Sequence, residues 1–325
     1  MLNPFARLIE PRMPSAAVGL SAIGASVVSL DRRRDTFAIK RAGYVALPEG
    51  LVRPSFDGAN VADPSELGEV LAELVMSVGL VKQHRWSIAL PEASTRTSII
   101  TVESAPASNV ELEEMLRWKI ERAMAAPLDE LRSTRERLSP DAQGRLRYLV
   151  TAMRVAVLAE YESVFESLGW RTGLIVPRFV GEAAWLMRDG GGGSHGRAGD
   201  SLLISAHPEG FTAVLLRGRQ PLIVRHVMCE TTDRGDELFR FLLFYRDRMA
   251  APAVDEGGLS PETIERLMVV GEGIDEHDAS ALVTETLAVT PRALGAEDVR
   301  LVIPPGGLDF NAIAAPAGLA TLAWR

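Results

Sequence analysis

Residues 192–196, Gly-Gly-Ser-His-Gly, match the G-x-S-x-G string that places a serine nucleophile on a strained strand-to-helix turn. Such a turn needs a strand before Ser194 and a helix after it. Residues 189–199 are instead mostly glycine, and no element is expected before Ser201, so the segment reads as a flexible linker. The same run, continued by Gly196-Arg197-Ala198, lacks the Lys and Ser/Thr with which a phosphate loop holds phosphate and magnesium. His84, His195, His207, His226 and His277 show no i, i+4 spacing, and no metal site is expected from them. Glu111, Glu113, Glu114 and Glu121 lie among Arg and Lys and read as a solvated helix face, not as an acid–base pair. Cys229 is the sole cysteine, which excludes an internal disulfide and fits a reducing compartment. No catalytic residue is nominated.

The elements that would carry any site are those of an α/β chain. Residues 17–30 and 36–47 suit a hairpin around the charged turn 31–35. Asp63, Pro64 and Glu66 supply cap chemistry for a helix reaching about residue 78. Strands are expected at 86–91 and 95–102, then a helix capped by Asn109 and ending before Pro127. An extended segment at 146–157 precedes a helix at 158–168, a strand at 171–176 and a helix at 181–188. Beyond the linker at 190–199 the pattern restarts, with strands at 201–206, 212–216 and 221–229 and a helix at 236–249. A strand at 267–270, a helix at 275–286, a strand region at 294–303 and a terminal helix at 312–324, interrupted by Pro316, complete it. The expectation is a duplicated core: a first lobe at 1–189 with an inserted strand–helix–strand subdomain at about 86–150, and a second lobe at 200–325. The terminal helix is expected to pack back on the first lobe.

Lys and Arg number 35 against 43 Asp and Glu, a net charge of −8. That sign opposes attraction to phosphate backbones and anionic lipid, so no nucleic-acid partner is expected. No run of about 18 apolar residues occurs, and the chain is expected to be cytoplasmic.

Several strings, in order, carry a resemblance. They are Val18-Gly19-Leu20, Ser87-Ile88-Ala89-Leu90-Pro91, Leu112-Glu113-Glu114 with Trp118-Lys119-Ile120-Glu121, Val269-Val270-Gly271-Glu272-Gly273, and Ala317-Gly318-Leu319-Ala320. With them the chain resembles the PilM family, actin-like cytoplasmic proteins of type IV pilus assembly. It is similar more distantly to type II secretion platform proteins and to FtsA. The resemblance implies an actin-like two-lobed fold, a duplicated ribonuclease H-like core, with a nucleotide cleft between the lobes. It assigns Gly19, Ser21, Gly24, Ser205, Gly271 and Gly273 to that cleft.

The chain departs from the family where the chemistry should be. Ser21 and Ser205 stand where Asp residues would orient metal and water, His207 replaces a Gly, and Glu272 intrudes on the third turn. ATP hydrolysis is therefore expected to be lost, and no cofactor is expected, with ATP binding the alternative. The implied role is a non-catalytic adaptor of the inner-membrane platform, peripheral to that membrane through a PilN-like bitopic protein whose cytoplasmic N-terminus it binds. A nucleotide switch, a weak ATPase, a type II secretion component and a sugar-kinase relative are the alternatives. On helix 109–124, Leu112, Met115, Leu116, Ile120, Ala123 and Met124 form an apolar arc, and Trp118 lies well off it. Trp118 either packs on the host lobe or the adjoining strand, or contacts the partner.

Overall fold

The computed structural model describes residues 13–103, 106–141, 143–188, 199–248 and 263–324. The linker expected at 190–199 lies, apart from Gly199, outside the described residues. The first half contains β1 (Ala16–Leu20), β2 (Gly24–Arg33), β3 (Thr36–Ala46), α1 (Pro64–Ser77), β4 (Arg85–Leu90), β5 (Arg96–Val102) and α2 (Asn109–Met124). It continues with β6 (Leu131–Leu138), β7 (Leu146–Arg154), α3 (Val155–Ser167), β8 (Arg171–Pro177) and α4 (Arg178–Leu186). The second half contains β9 (Asp200–His207), β10 (Gly210–Arg217), β11 (Gln220–Met228), α5 (Arg234–Arg248) and β12 (Ile264–Val270). α6 (Glu276–Leu287), β13 (Arg292–Ala293), β14 (Leu301–Val302) and α7 (Phe310–Ala320) complete the chain.

β1, β2 and β3 form an antiparallel meander because residues 16–30 are small or β-branched and can be buried on both faces. β4 and β8 add in parallel, giving the order β14-β3-β2-β1-β4-β8. The second sheet repeats the plan as β11-β10-β9-β12-β13, an antiparallel meander followed by two parallel strands. Asp63 Oδ1 caps α1 by accepting from the Ser65 and Glu66 amides, as the sequence suggested.

α7 belongs to the second half in sequence but lies on the first sheet, across β1 and β2, and crosses α4. The crossing is close because Gly181 and Gly318 face one another's backbones. A Cβ on Gly318 would fall 1.8 Å from the Gly181 carbonyl oxygen. Trp185 Nε1 donates to the Ala314 carbonyl at 2.9 Å across the same contact. Pro316 does not interrupt the helix; its ring packs on Gly19, where a Cβ would lie 3.0 Å from Pro316 Cδ.

Several elements differ from the sequence reading. Residues 86–90, counted there with the insertion, are the core strand β4. The insertion itself is a three-stranded antiparallel sheet, β5-β7-β6, carrying α2. β6 escapes a hydropathy reading because its Arg and Glu residues point to water on an edge strand, with Leu131 and Leu138 buried at its ends. Ser108, not Asn109, caps α2. α3 starts at Val155 instead of 158: the β-branched Val155 and Val157 read as strand, yet Val157 enters the core from a helix. Within 294–303 only the two-residue strand β14 forms, and it joins the first sheet, not the second. The insertion also reaches the second lobe: the Ser139 amide donates to Gln220 Oε1 at 2.7 Å, and Arg147 Nη2 to the Leu222 carbonyl at 3.2 Å.

Candidate functional site: a cleft between the lobes

A cleft of about 580 Å3 opens between the two sheets. The β1–β2 turn, the β9–β10 turn, the loop after β12 and the start of α7 line it. Of the residues assigned from sequence, Ser21, Gly24, Gly271 and Gly273 come together on its walls. Gly19 and Ser205 do not reach the cleft surface. Gly19 is buried beneath Pro316, and Ser205 is buried where its hydroxyl donates to Glu92 Oε1 at 3.3 Å.

In the first turn the polar groups are turned upon themselves. Ser21 Oγ accepts from the Gly24 amide at 3.0 Å and the Ile23 amide at 3.4 Å. The Ser21 amide donates to the Gly24 carbonyl at 2.9 Å, and so does Ser21 Oγ at 3.1 Å. Three amides that could have formed an anion nest are thus spent within the turn. The phenol of Tyr44 on β3 lies over Gly24, where a Cβ would sit 2.3 Å from Oη. Ile23 projects half-exposed at the cleft wall.

The second turn reads His207-Pro208-Glu209-Gly210. Pro208 offers no amide, and the buried His207 ring pairs with Glu209 at 3.1 Å and stacks on His226 at 4.9 Å. In the third turn Gly271 and Gly273 have φ of +95° and +87°, which only glycine adopts without strain. Their open faces are taken by protein: a Cβ on Gly271 would meet the Ala206 carbonyl at 2.0 Å, and on Gly273 Arg234 Nη1 at 2.2 Å.

Arg234 is a residue that the sequence reading missed. It is buried at the start of α5, donating from Nη1 to the Glu272 carbonyl at 2.6 Å and from Nη2 to His207 and Pro208 carbonyls at 2.7 and 3.1 Å. Its signal was positional: a cation at a helix N-terminus opposes the macrodipole, so a buried one there must be held by carbonyl oxygens. Arg178, Tyr44, Asp309 and Asn311 also line the cleft and were not nominated.

Beneath the cleft lie two buried carboxylates, Glu92 and Glu182. Glu92 Oε1 accepts from the Phe179 amide at 3.0 Å, satisfying an orphan donor in the first turn of α4. Glu182 lies 3.5 Å from Arg178 on the same helix. Burial pushes its carboxyl up to about 7, with Arg178 opposing and Glu92 adding to the rise. No group of three or more His, Cys, Asp or Glu able to hold a metal occurs among the described residues.

Away from the cleft, Leu116, Ile120 and Met124 bury α2 against its sheet, with Leu112 and Met115 half-buried; Ala123, placed on the arc from sequence, is exposed. Trp118 is 57% exposed, touched by the Arg122 guanidinium at 5.4 Å. More than half of its surface is left in water.

Two lobes with the same five-strand order, a cleft between them and a subdomain inserted after the fourth strand of the first define an actin-like, two-lobed protein. The fold is similar along its length to a chain of a PilM-PilN type IV pilus biogenesis complex, at 20% identity and a TM-score of 0.74, covering 97% of this chain and 100% of that one. The cytoplasmic domain of EpsL, an inner-membrane component of the type II secretion system of Vibrio cholerae, overlays at TM-score 0.43 and 12% identity, over 84% of this chain and 94% of that one. A Bacteroides thetaiotaomicron protein with an actin-like ATPase fold and unknown function gives 0.45 at 10% identity, over 99% of each chain. No protein-family model and no curated protein matches the chain.

Proposed function

We propose that this chain is a non-catalytic actin-like component of a type IV pilus inner-membrane platform, docking the cytoplasmic N-terminal segment of a PilN-like bitopic protein. The observation that carries the non-catalytic half is the cleft. Ser21 closes its own turn, Tyr44 covers Gly24, and Arg234 occupies the face of Gly273. With serine at both positions where carboxylates would orient magnesium and water, hydrolysis loses its metal chemistry.

The adaptor half is supported by the whole-chain likeness to a structure described as a PilM-PilN complex. It is also supported by Trp118, an indole left in water on the inserted subdomain. Tryptophan is rich in apolar surface and enriched at binding hot spots. The protein would then be cytoplasmic and held at the inner membrane by its partner; no described helix is long and apolar enough to cross a membrane.

One observation favours a second reading, ATP binding without turnover or a nucleotide switch: the cleft remains as large as many ligand pockets. Thermal unfolding and phosphate release with magnesium and ATP separate the readings. The adaptor account expects neither a Tm shift nor release. A shift without release supports the switch, and release abolished by Ala312→Trp, which fills the cleft, overturns both. A type II secretion platform is the remaining alternative, and co-purification of the full chain with its membrane partner distinguishes it.

A further inference from the structure

β14 stops after two residues and leaves most of the outer edge of β3 without a strand. Leu301 and Val302 pair in parallel with Phe37 and Ala38, and the chain then meets Pro304 and Pro305 and turns away. Proline has no amide with which to continue a ladder. Among the described residues, the backbone of 40–46 pairs only with β2. The matching edge of the second sheet is treated differently: on β11 the Pro221 and Leu222 carbonyls accept from Arg147 Nη2 at 3.4 and 3.2 Å. The insertion thus satisfies one outer edge, while the other is left open among the described residues.

The space beside β3 is a groove of about 630 Å3. Its walls are residues 39–42 of β3, 76–79 at and beyond the end of α1, and the loop at 303–308 that peels away from the sheet. Ile39, Val78, Ile303 and Leu308 give it apolar surface, joined by Met76, which is 64% exposed. Lys40 and Arg41 are the only charged groups among the described residues that line it, and both are exposed, in a chain of net charge −8. Arg41 Nε lies 3.9 Å from the position of a Cβ on Gly79, just past α1.

We propose that this edge docks an extended acidic peptide from a partner, which takes up the line that β14 begins. A free row of amides and carbonyls is a template for an incoming strand. β14 itself shows that β3 accepts a parallel neighbour on this side. Strand alternation would send the peptide's side chains by turns toward the end of α1 and toward the 303–308 loop. Charge selects the occupant. Lys40 is the extra residue of a bulge, since Ser29 pairs with Arg41 and Leu30 with Ile39. A lysine and a bulge guard an edge against a second copy, which would bring two further cations to the same place. The same two cations attract an acidic strand. The insertion contributes no residue to the groove, so the site is additional to docking at Trp118 and does not depend on it.

The experiment is amide-resolved NMR of the full chain with a short peptide alternating Glu and Val, compared with one alternating Lys and Val. Two further acidic peptides, N-methylated at every Glu or at every Val, lack one set of ladder donors each. The proposal expects the acidic peptide, at up to about 1 mM, to shift the amides of 39–46 and of the 303–308 loop in a saturable way. It expects the basic peptide and at least one methylated peptide not to bind. Lys40→Glu combined with Arg41→Glu, both at exposed positions, should weaken the acidic peptide by about fivefold or more. No shift at those amides, binding that survives both methylations, or equal binding of the basic peptide overturns the proposal. Slow exchange of every amide in 40–46 without peptide also overturns it, because the edge would already be filled, by a second copy if protection grows with chain concentration.

Discussion

Arg234 Nη1 meets the Glu272 carbonyl at 2.6 Å, and through this bond one buried guanidinium ties the second and third cleft turns together. Hydrogen bonds to a charged group contribute about 1.5–3 kcal/mol each, less whatever water returns when they are broken. Arg234→Met should therefore destabilise the chain by about 3 kcal/mol, measured by urea unfolding. A loss under about 1 kcal/mol would mean that the turns hold without the clamp.

Tyr44 and Gly24 are expected to be coupled. A methyl on Gly24 displaces the phenol, a 43% exposed side chain that can swing away. Gly24→Ala should cost about 1 kcal/mol in wild type and close to nothing in Tyr44→Ala. Additive effects in the double-mutant cycle would show that the phenol does not rest on the turn.

Two glycine-to-alanine changes should have opposite signs. Gly318 abuts the Gly181 carbonyl, so Gly318→Ala must push α4 and α7 apart and cost about 3 kcal/mol or more. Gly235, in α5, has nothing within 4 Å of a built Cβ, so Gly235→Ala should stabilise by about 0.5–1 kcal/mol through helix propensity. Chemical unfolding of both variants checks the pair.

The two lobes and the second meander were legible because they rest on local signals, β-branched runs and caps; the cleft glycines Gly24, Gly271 and Gly273 came from the family resemblance, and residues 17–30, read as one strand, are β1 and β2 joined by a tight turn. What was hidden depends on register and on neighbours distant in sequence. Tyr44 reaches Gly24 only because β2 and β3 pair with Ser26 opposite Tyr44, leaving Gly24 diagonal to it. Ser205 was identified as a cleft residue, but strand alternation turns it down to Glu92, behind the wall that Ala206 and His207 form. β6 was invisible because its charged residues gave no apolar run, and Glu182 because nothing nearby in sequence announces that a second carboxylate waits beneath α4.

The central claim is that the inserted subdomain docks a peptide while the cleft does no chemistry. Titration calorimetry of the full chain with the cytoplasmic N-terminal peptide of a PilN-like bitopic protein from the same organism tests this most directly. Burying one indole amounts to a few kcal/mol, so with a handful of polar contacts the account predicts micromolar binding. It further predicts that Trp118→Ala weakens that binding about tenfold or more, equivalent to at least about 1.4 kcal/mol, without lowering Tm, since Trp118 is exposed. No heat of binding to a folded wild-type chain would contradict the account.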